Sequence, residues 1–167
     1  MSSKIRLYFP KELKANLLNI LSNEQSHYIN NVMRLKPGDT ISLFNTIDGE
    51  WDAKIVNHSK DIIEFKVEKL TKNKRPENNL WLAFCPIKKI PLDMMIQKTT
   101  ELGIQKFIPI LSDRTVVREI NTERVKKIIV EASEQSNRIS VPEIKNLEPL
   151  KNFLHKFPKN GCLIFCD

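Results

Sequence analysis

Along this chain of 167 residues the spacing of apolar positions changes character once. In residues 1–70 the apolar residues come in short runs rich in β-branched and aromatic side chains. Ile5–Phe9, Ala15–Ile20, Thr40–Asn45, Trp51–Asn57 and Ile62–Leu70 each predict a strand. In the last of these, Ile63, Phe65 and Val67 alternate with Glu64, Lys66 and Glu68, the pattern of a strand buried on one face. Ile41, Leu43 and Phe44 set against Trp51, Ala53 and Ile55 predict a hairpin, and Asp48-Gly49 supplies a turn pair able to take positive φ. One helix interrupts the strands. Ser22 and Gln25 form a capping box, with Tyr28, Ile29 and Val32 expected on one inward face. Many short strands around one helix predict a small barrel.

Residues 71–79 (TKNKRPENN) are polar, contain a proline and have no periodicity, and so read as a linker. From residue 80 onward, strand and helix patterns alternate. Leu80–Pro86 is a continuous apolar run expected to be fully buried. A helix opens with Pro91 in its first turn and closes at Gly103, with Leu92, Met95, Ile96, Thr99 and Leu102 inward. Phe107–Leu111 predicts the next strand. Asn121 can cap a helix over Thr122–Ser136 that turns Val125, Ile128, Ile129 and Ala132 inward. Pro149 starts a short helix, and Cys162–Cys166 reads as a third apolar strand. Such alternation predicts a parallel sheet with helices on its faces, making the chain α+β as a whole.

Charge is unevenly placed. Residues 1–70 carry 10 Lys/Arg and 9 Asp/Glu, a balance of +1; the other 97 residues carry 17 and 11, which gives +6 and completes the net +7. A basic excess favours polyanionic partners, because neutralising phosphates releases counterions. No apolar run approaches the length of a membrane span, and the amino terminus lacks the apolar stretch of a secretory signal, so a cytoplasmic protein without a membrane partner is expected. Cys85, Cys162 and Cys166 sit in apolar runs and are expected to be buried structural thiols. The scattered His27, His58 and His155 show no ligand spacing, so no metal is expected.

Motifs for nucleophilic triads, zinc hydrolysis and phosphate-cradling glycine loops are missing, and the chain has only four glycines. That argues against hydrolases and nucleotide-dependent dehydrogenases. Pro37-Gly38-Asp39 reads as a turn, beside which Arg34 and Lys36 present cations suited to phosphate. Gln97, Lys98 and Glu101 fall off the buried stripe of their helix. On the next helix Arg124, Lys127, Glu131, Glu134 or Gln135, and Arg138 recur at spacings of three and four along a polar side, a row that ordinarily holds ion pairs.

The segments MRLKPGD, FNTIDGEWDAKI, QKTTELGI, LSDRTVV and EASEQSNRISVPEI together resemble the ribosomal RNA small subunit methyltransferase E (RsmE) family of the knotted SPOUT class. The resemblance spans nearly all of residues 4–167. It implies a PUA-like RNA-binding β-barrel over 1–70, a linker over 71–79, and over 80–167 the first part of a SPOUT methyltransferase domain with a parallel sheet. The activity implied is methyl transfer from S-adenosylmethionine to N3 of a uridine in 16S ribosomal RNA or the small ribosomal subunit, by a family that is usually homodimeric. Its densest segments border the active site. Arg138, Glu131 and Gln135 therefore become candidates for the catalytic centre, and Arg34, Lys36, Lys98, Arg114 and Arg138 for RNA contact, with Glu101 orienting a cation. The family's glycine-rich GPEGG-type loop and its later RTET-type segment have no counterpart up to Asp167. The cofactor residues are accordingly expected beyond Asp167, and the chain is expected to be truncated and inactive alone. The alternative reading is a non-catalytic RNA-binding remnant of the same family.

Overall fold

The computed structural model describes residues 5–59, 62–74 and 78–166. Contacts divide the chain into two compact units: Met1–Glu77 with Val130–Val141, and Asn78–Ile129 with Pro142–Asp167.

The first unit contains β1 (Arg6–Tyr8), β2 (Leu18–Ile20), α1 (Asn23–His27), β3 (Thr40–Asn45), β4 (Gly49–His58) and β5 (Ile63–Lys72). Its sheet runs β1-β3-β4-β5-β2, with β1 parallel to β3 and the other pairs antiparallel. The hairpin forms in the expected register: Leu43 faces Trp51 and Ile41 faces Ala53. Leu7, Ile41, Leu43, Ala53, Ile55, Ile63, Phe65 and Val67 all point into one core. Phe9, just after β1, meets Phe65 of β5 edge-on at 5.2 Å, so the two sides of the sheet curl toward each other around that core.

Three local expectations need correction. The run Ala15–Ile20 is a regular strand only from Leu18, because Asn16 takes a left-handed φ of 64°, although Asn16 and Leu17 still bond to Val67 of β5. The Ser22–Gln25 capping box forms, but from Tyr28 to Met33 the chain winds as a π-helix. This wider winding keeps Ile29 inward and turns Tyr28 and Val32 outward, with Val32 60% exposed. Arg34 then ends the winding at φ 55°.

The second unit contains β6 (Trp81–Phe84), α2 (Lys89–Glu101), β7 (Lys106–Leu111), the first part of α3 (Thr122–Gln135), β8 (Glu143–Ile144), β9 (Glu148–Pro149) and α4 (Leu150–Lys156). All its strand pairs are parallel. β7 is central, with β6 on one side and β8 then β9 on the other. Phe107 is buried on one face of β7, with Phe84 edge-on to it, while Ile108 and Ile110 pack with Phe153 on the other. Asn121 caps α3 by accepting from the Arg124 amide at 2.9 Å, and Asp93 of α2 pairs with Arg124.

Here too the sequence reading is corrected. Within Leu80–Pro86 only Trp81–Phe84 joins a ladder and only Phe84 and Pro86 are buried, because β7 is the sole strand beside β6 among the described residues. Leu102, expected inward, is 81% exposed. It lies past the last turn of α2, where Gly103 reverses the chain at φ +104° and Ile104 takes the inward place. Cys162–Cys166 is not a strand. The segment joins no ladder among the described residues, and Leu163, Ile164 and Phe165 stay exposed. The thiols differ as well: Cys85 is half-buried, and Cys162 and Cys166 are exposed.

Two glycines with positive φ lie in different surroundings. Gly49 (φ +86°) opens β4 where an added Cβ would meet the Lys72 carbonyl oxygen at 2.4 Å, whereas Gly38 (φ +98°) has nothing within 4 Å. Gly49→Ala is expected to cost about 3 kcal/mol or more through strain plus overlap. Gly38→Ala should cost about 1 kcal/mol through strain alone. Urea unfolding midpoints of the two variants check the difference.

Candidate functional site

In the first unit the residues nominated on α3 gather at its carboxyl end. Glu131 and Gln135 are exposed and Arg138 is half-buried, with its guanidinium donating to Ser140 Oγ at 2.8 Å. Between them the chain reverses at Asn137, whose φ is 59°. Glu134 leaves the expected polar row and accepts from the Tyr8 amide at 2.8 Å. The residue that organises this end was not nominated from sequence. Arg6 of β1 donates from Nη1 to the Ser133 carbonyl at 2.7 Å and to the Glu134 carbonyl at 3.3 Å. Its Nη2 donates to the Arg138 carbonyl. Its Nε pairs with Glu50 at 2.9 Å, and the guanidinium lies 3.6 Å from the centre of the Phe44 ring. Glu50 also accepts from Ser42 Oγ at 2.8 Å and pairs with Lys72 at 3.1 Å.

Strand alternation explains the assembly. Leu7 and Leu43 face the core, so Arg6, Tyr8, Ser42, Phe44 and Glu50 share the opposite face. There β3 is buried on both sides, which is unusual for an antiparallel strand. A sequence signal existed: Tyr8 and Phe44 put aromatic rings on a face that would otherwise be polar, and the rings lie 5.8 Å apart.

Arg34 and Lys36 occupy a separate place in this unit. Lys36–Asp39 forms a turn with Pro37 second and Gly38 third, closed by the Asp39 amide donating to the Lys36 carbonyl at 3.0 Å. The Asp39 carboxylate accepts from the Lys36 amide at 2.7 Å, leaving both cationic side chains exposed. The turn is bonded to Ile55 in both directions, by Gly38 N–H to the Ile55 carbonyl at 2.8 Å and Ile55 N–H to the Asp39 carbonyl at 2.9 Å. That places it beside Lys54, which stands directly opposite Lys66 across β4 and β5. The sequence reading missed this pair, although the alternation around Ile55 and Phe65 puts both lysines outward.

In the second unit Lys98 and Arg114 are both exposed. Lys98 is paired with Glu101 at 2.9 Å, and Gln97 donates to the same carboxylate at 3.0 Å. Arg114 sits in a turn at the carboxyl end of β7, held by the Ser112 amide donating to Thr115 Oγ1 at 2.9 Å. Cys85, just past the end of β6, lies 3.6 Å from Ser112 Oγ. Hydrogen bonding from Thr115, then from Ser112, holds the thiol below its ordinary range against the effect of burial.

The RNA methyltransferase domain family matches residues 73–167, and the RNA methyltransferase PUA domain matches residues 21–68. The chain belongs to the ribosomal RNA small subunit methyltransferase E family. The family member from Rickettsia conorii is 34% identical over 163 residues, covering 97% of this chain and 66% of the relative. The Bacillus subtilis member is 32% identical over 143 residues, covering 81% of this chain and 56% of the relative. Among solved structures, the methyltransferase E from Neisseria gonorrhoeae, bound to S-adenosyl methionine, aligns with a TM-score of 0.84 at 25% identity. That alignment covers 93% of this chain and 66% of the other. A methyltransferase from Legionella pneumophila, in complex with the same cofactor, aligns at 0.83 and 27% identity, covering 94% and 68%. The chain thus spans 66% and 56% of the length of these two curated relatives.

The two glutamates of the Arg6 cluster titrate in opposite senses. Burial pushes Glu50 up, but hydrogen bonds from Arg6 and Ser42, with the charge of Arg6, hold it below its ordinary value of 4.5. Glu134 is raised, first by burial and then by the nearby Glu131, against the pull of the Tyr8 amide and Arg6. Glu50 therefore contributes stability that is present above 4.5 and lost as pH falls through its lowered folded value. Glu134 contributes stability below 4.5 that is lost as pH rises through its raised folded value. Glu50→Gln is expected to cost on the order of 3 kcal/mol at pH 7 and less in strong acid. Glu134→Gln should gain on the parent as pH rises from 4 to 7. Urea titrations across pH 3–8 measure both slopes.

Proposed function

We propose that this chain is the RNA-engaging part of an S-adenosylmethionine-dependent methyltransferase that modifies N3 of a uridine in 16S ribosomal RNA, acting in the cytoplasm. The observation that carries this reading is the match to the Rickettsia conorii relative along 97% of the chain, through both units. Among the described residues no helix is long and apolar enough to cross a membrane, in keeping with an RNA-directed enzyme.

Roles follow from where the side chains stand. Arg34 and Lys36 flank a rigid turn with their charges free for phosphate, and Lys54 and Lys66 extend that strip. Two lysines directly opposite each other repel, and a bound phosphate would relieve the repulsion. Arg114 supplies a cation at the carboxyl end of a parallel strand, where ligands of such sheets bind. Lys98 is the weakest of the set, its charge already answered by Glu101. At the end of α3, Arg138 contacts the target nucleotide and favours the uridine anion, while Glu131 and Gln135 orient groups around it.

The described residues do not by themselves complete a cradle for an adenosyl cofactor. At the carboxyl ends of β6 and β7 the polar groups of Cys85, Ser112 and Thr115 bond one another. The glycines of this unit lie elsewhere: Gly103 ends α2, and Gly161 has the Phe157 ring 2.9 Å from where a Cβ would stand. No described residue is assigned to the cofactor.

A labelled transcript of small-subunit ribosomal RNA, titrated with the 167-residue chain over a range of salt, tests the reading. Saturable binding is expected, with log K falling against log salt at a slope of about −3 if four of the named cations meet phosphates. Arg34→Ala with Lys36→Ala should reduce the slope by about 1 to 2. Binding that ignores salt, or no binding at all, would overturn it. S-adenosylmethionine titrated calorimetrically into the same chain is expected to give no saturable heat.

A further inference from the structure

We propose that Arg6 is a positioning residue for the candidate catalytic end of α3, fixing the backbone from which Gln135 and Arg138 project. This rests on the reading of Arg138 as an RNA contact and assigns the residue that holds it in place.

A helix ends with four carbonyls lacking helical partners and with the negative end of its dipole. Arg6 answers both. One nitrogen binds the carbonyls of Ser133 and Glu134, before the reversal at Asn137, and another binds the carbonyl of Arg138, after it. A single rigid guanidinium thus ties together the two arms of the bend. The guanidinium is itself immobile. Phe44 lies under its plane, Glu50 takes Nε, and Ser42 and Lys72 hold Glu50. Both side chains of the pair are 7% exposed. Tyr8 N–H to the Glu134 carboxylate and Val141 N–H to Thr46 Oγ1 at 3.3 Å also attach the segment to the sheet side. A lysine would keep the charge and lose the planar fork that spans three carbonyls and a carboxylate.

The test uses the full 167-residue chain as parent, Arg6→Lys, Arg138→Ala and the double variant, with the labelled ribosomal transcript as probe. Arg138→Ala should weaken binding about tenfold and lower the salt slope by about 1. Arg6→Lys should weaken it by a similar factor, and the double variant should bind no more weakly than Arg138→Ala alone. Amide exchange should accelerate at least tenfold over residues 136–141 in Arg6→Lys while the core strands stay protected. Should Arg6→Lys fail to fold, Glu50→Gln, which removes the carboxylate that holds Nε, carries the same expectations. Parent-like RNA affinity in Arg6→Lys, unchanged exchange at 136–141, or additive losses in the double variant would each overturn the positioning role while leaving Arg138 an RNA contact. Parent-like affinity in Arg138→Ala would bring down the RNA reading itself, and the positioning role with it.

Discussion

The first unit depends on one buried ion pair. Arg6 and Glu50 face each other on the side of the sheet that an antiparallel meander would ordinarily give to water, and nearly all of both side chains is covered. Isolated charges in that setting would be prohibitively costly, and the pair survives because every strong donor and acceptor is answered. Glu50 has Arg6, Ser42 and Lys72; Arg6 has Glu50 and three backbone carbonyls. Those carbonyls come from residues 133–138, so the stretch that makes the burial possible also satisfies the buried charge.

The same arrangement divides labour on the sheet. One side holds an apolar core of aliphatic and aromatic residues, and the other carries a polar cluster that specifies which segment docks there. An apolar surface accepts many partners, whereas a guanidinium requires carbonyls at set distances and angles. The candidate catalytic residues are thus referred to the sheet, while the Lys36 turn is referred to β4 through Ile55. Both groups of candidate residues stand on hydrogen-bonded backbone.

What could be read from the sequence was what local chemistry decides. The Asp48-Gly49 hairpin, the Ser22–Gln25 box, the Asn121 cap and the Pro149 start all form, because each depends on residues within a few positions of one another. The segments that resembled a known family led to the right one. The misses share a different cause. Cys162–Cys166 looks like a strand by composition, but a strand needs a neighbouring ladder that no single segment reveals. Tyr28–Met33 obeys helical spacing until the winding widens, and a period of 3.6 then misplaces Val32. Arg6 and Glu50 alternate with core residues as solvent-facing charges do. Only residues 127 to 132 positions away from Arg6 put them out of solvent.

That separation bears on how the protein is made. The strands of the first unit are complete once β5 has emerged, yet their ionic face stays uncovered until Val130–Val141 follows, after the 52 residues from 78 to 129. At ribosomal speeds of about 5–20 residues per second the wait lasts several seconds, far longer than a hairpin takes to form. Completion of the amino-terminal unit therefore waits on a segment made late.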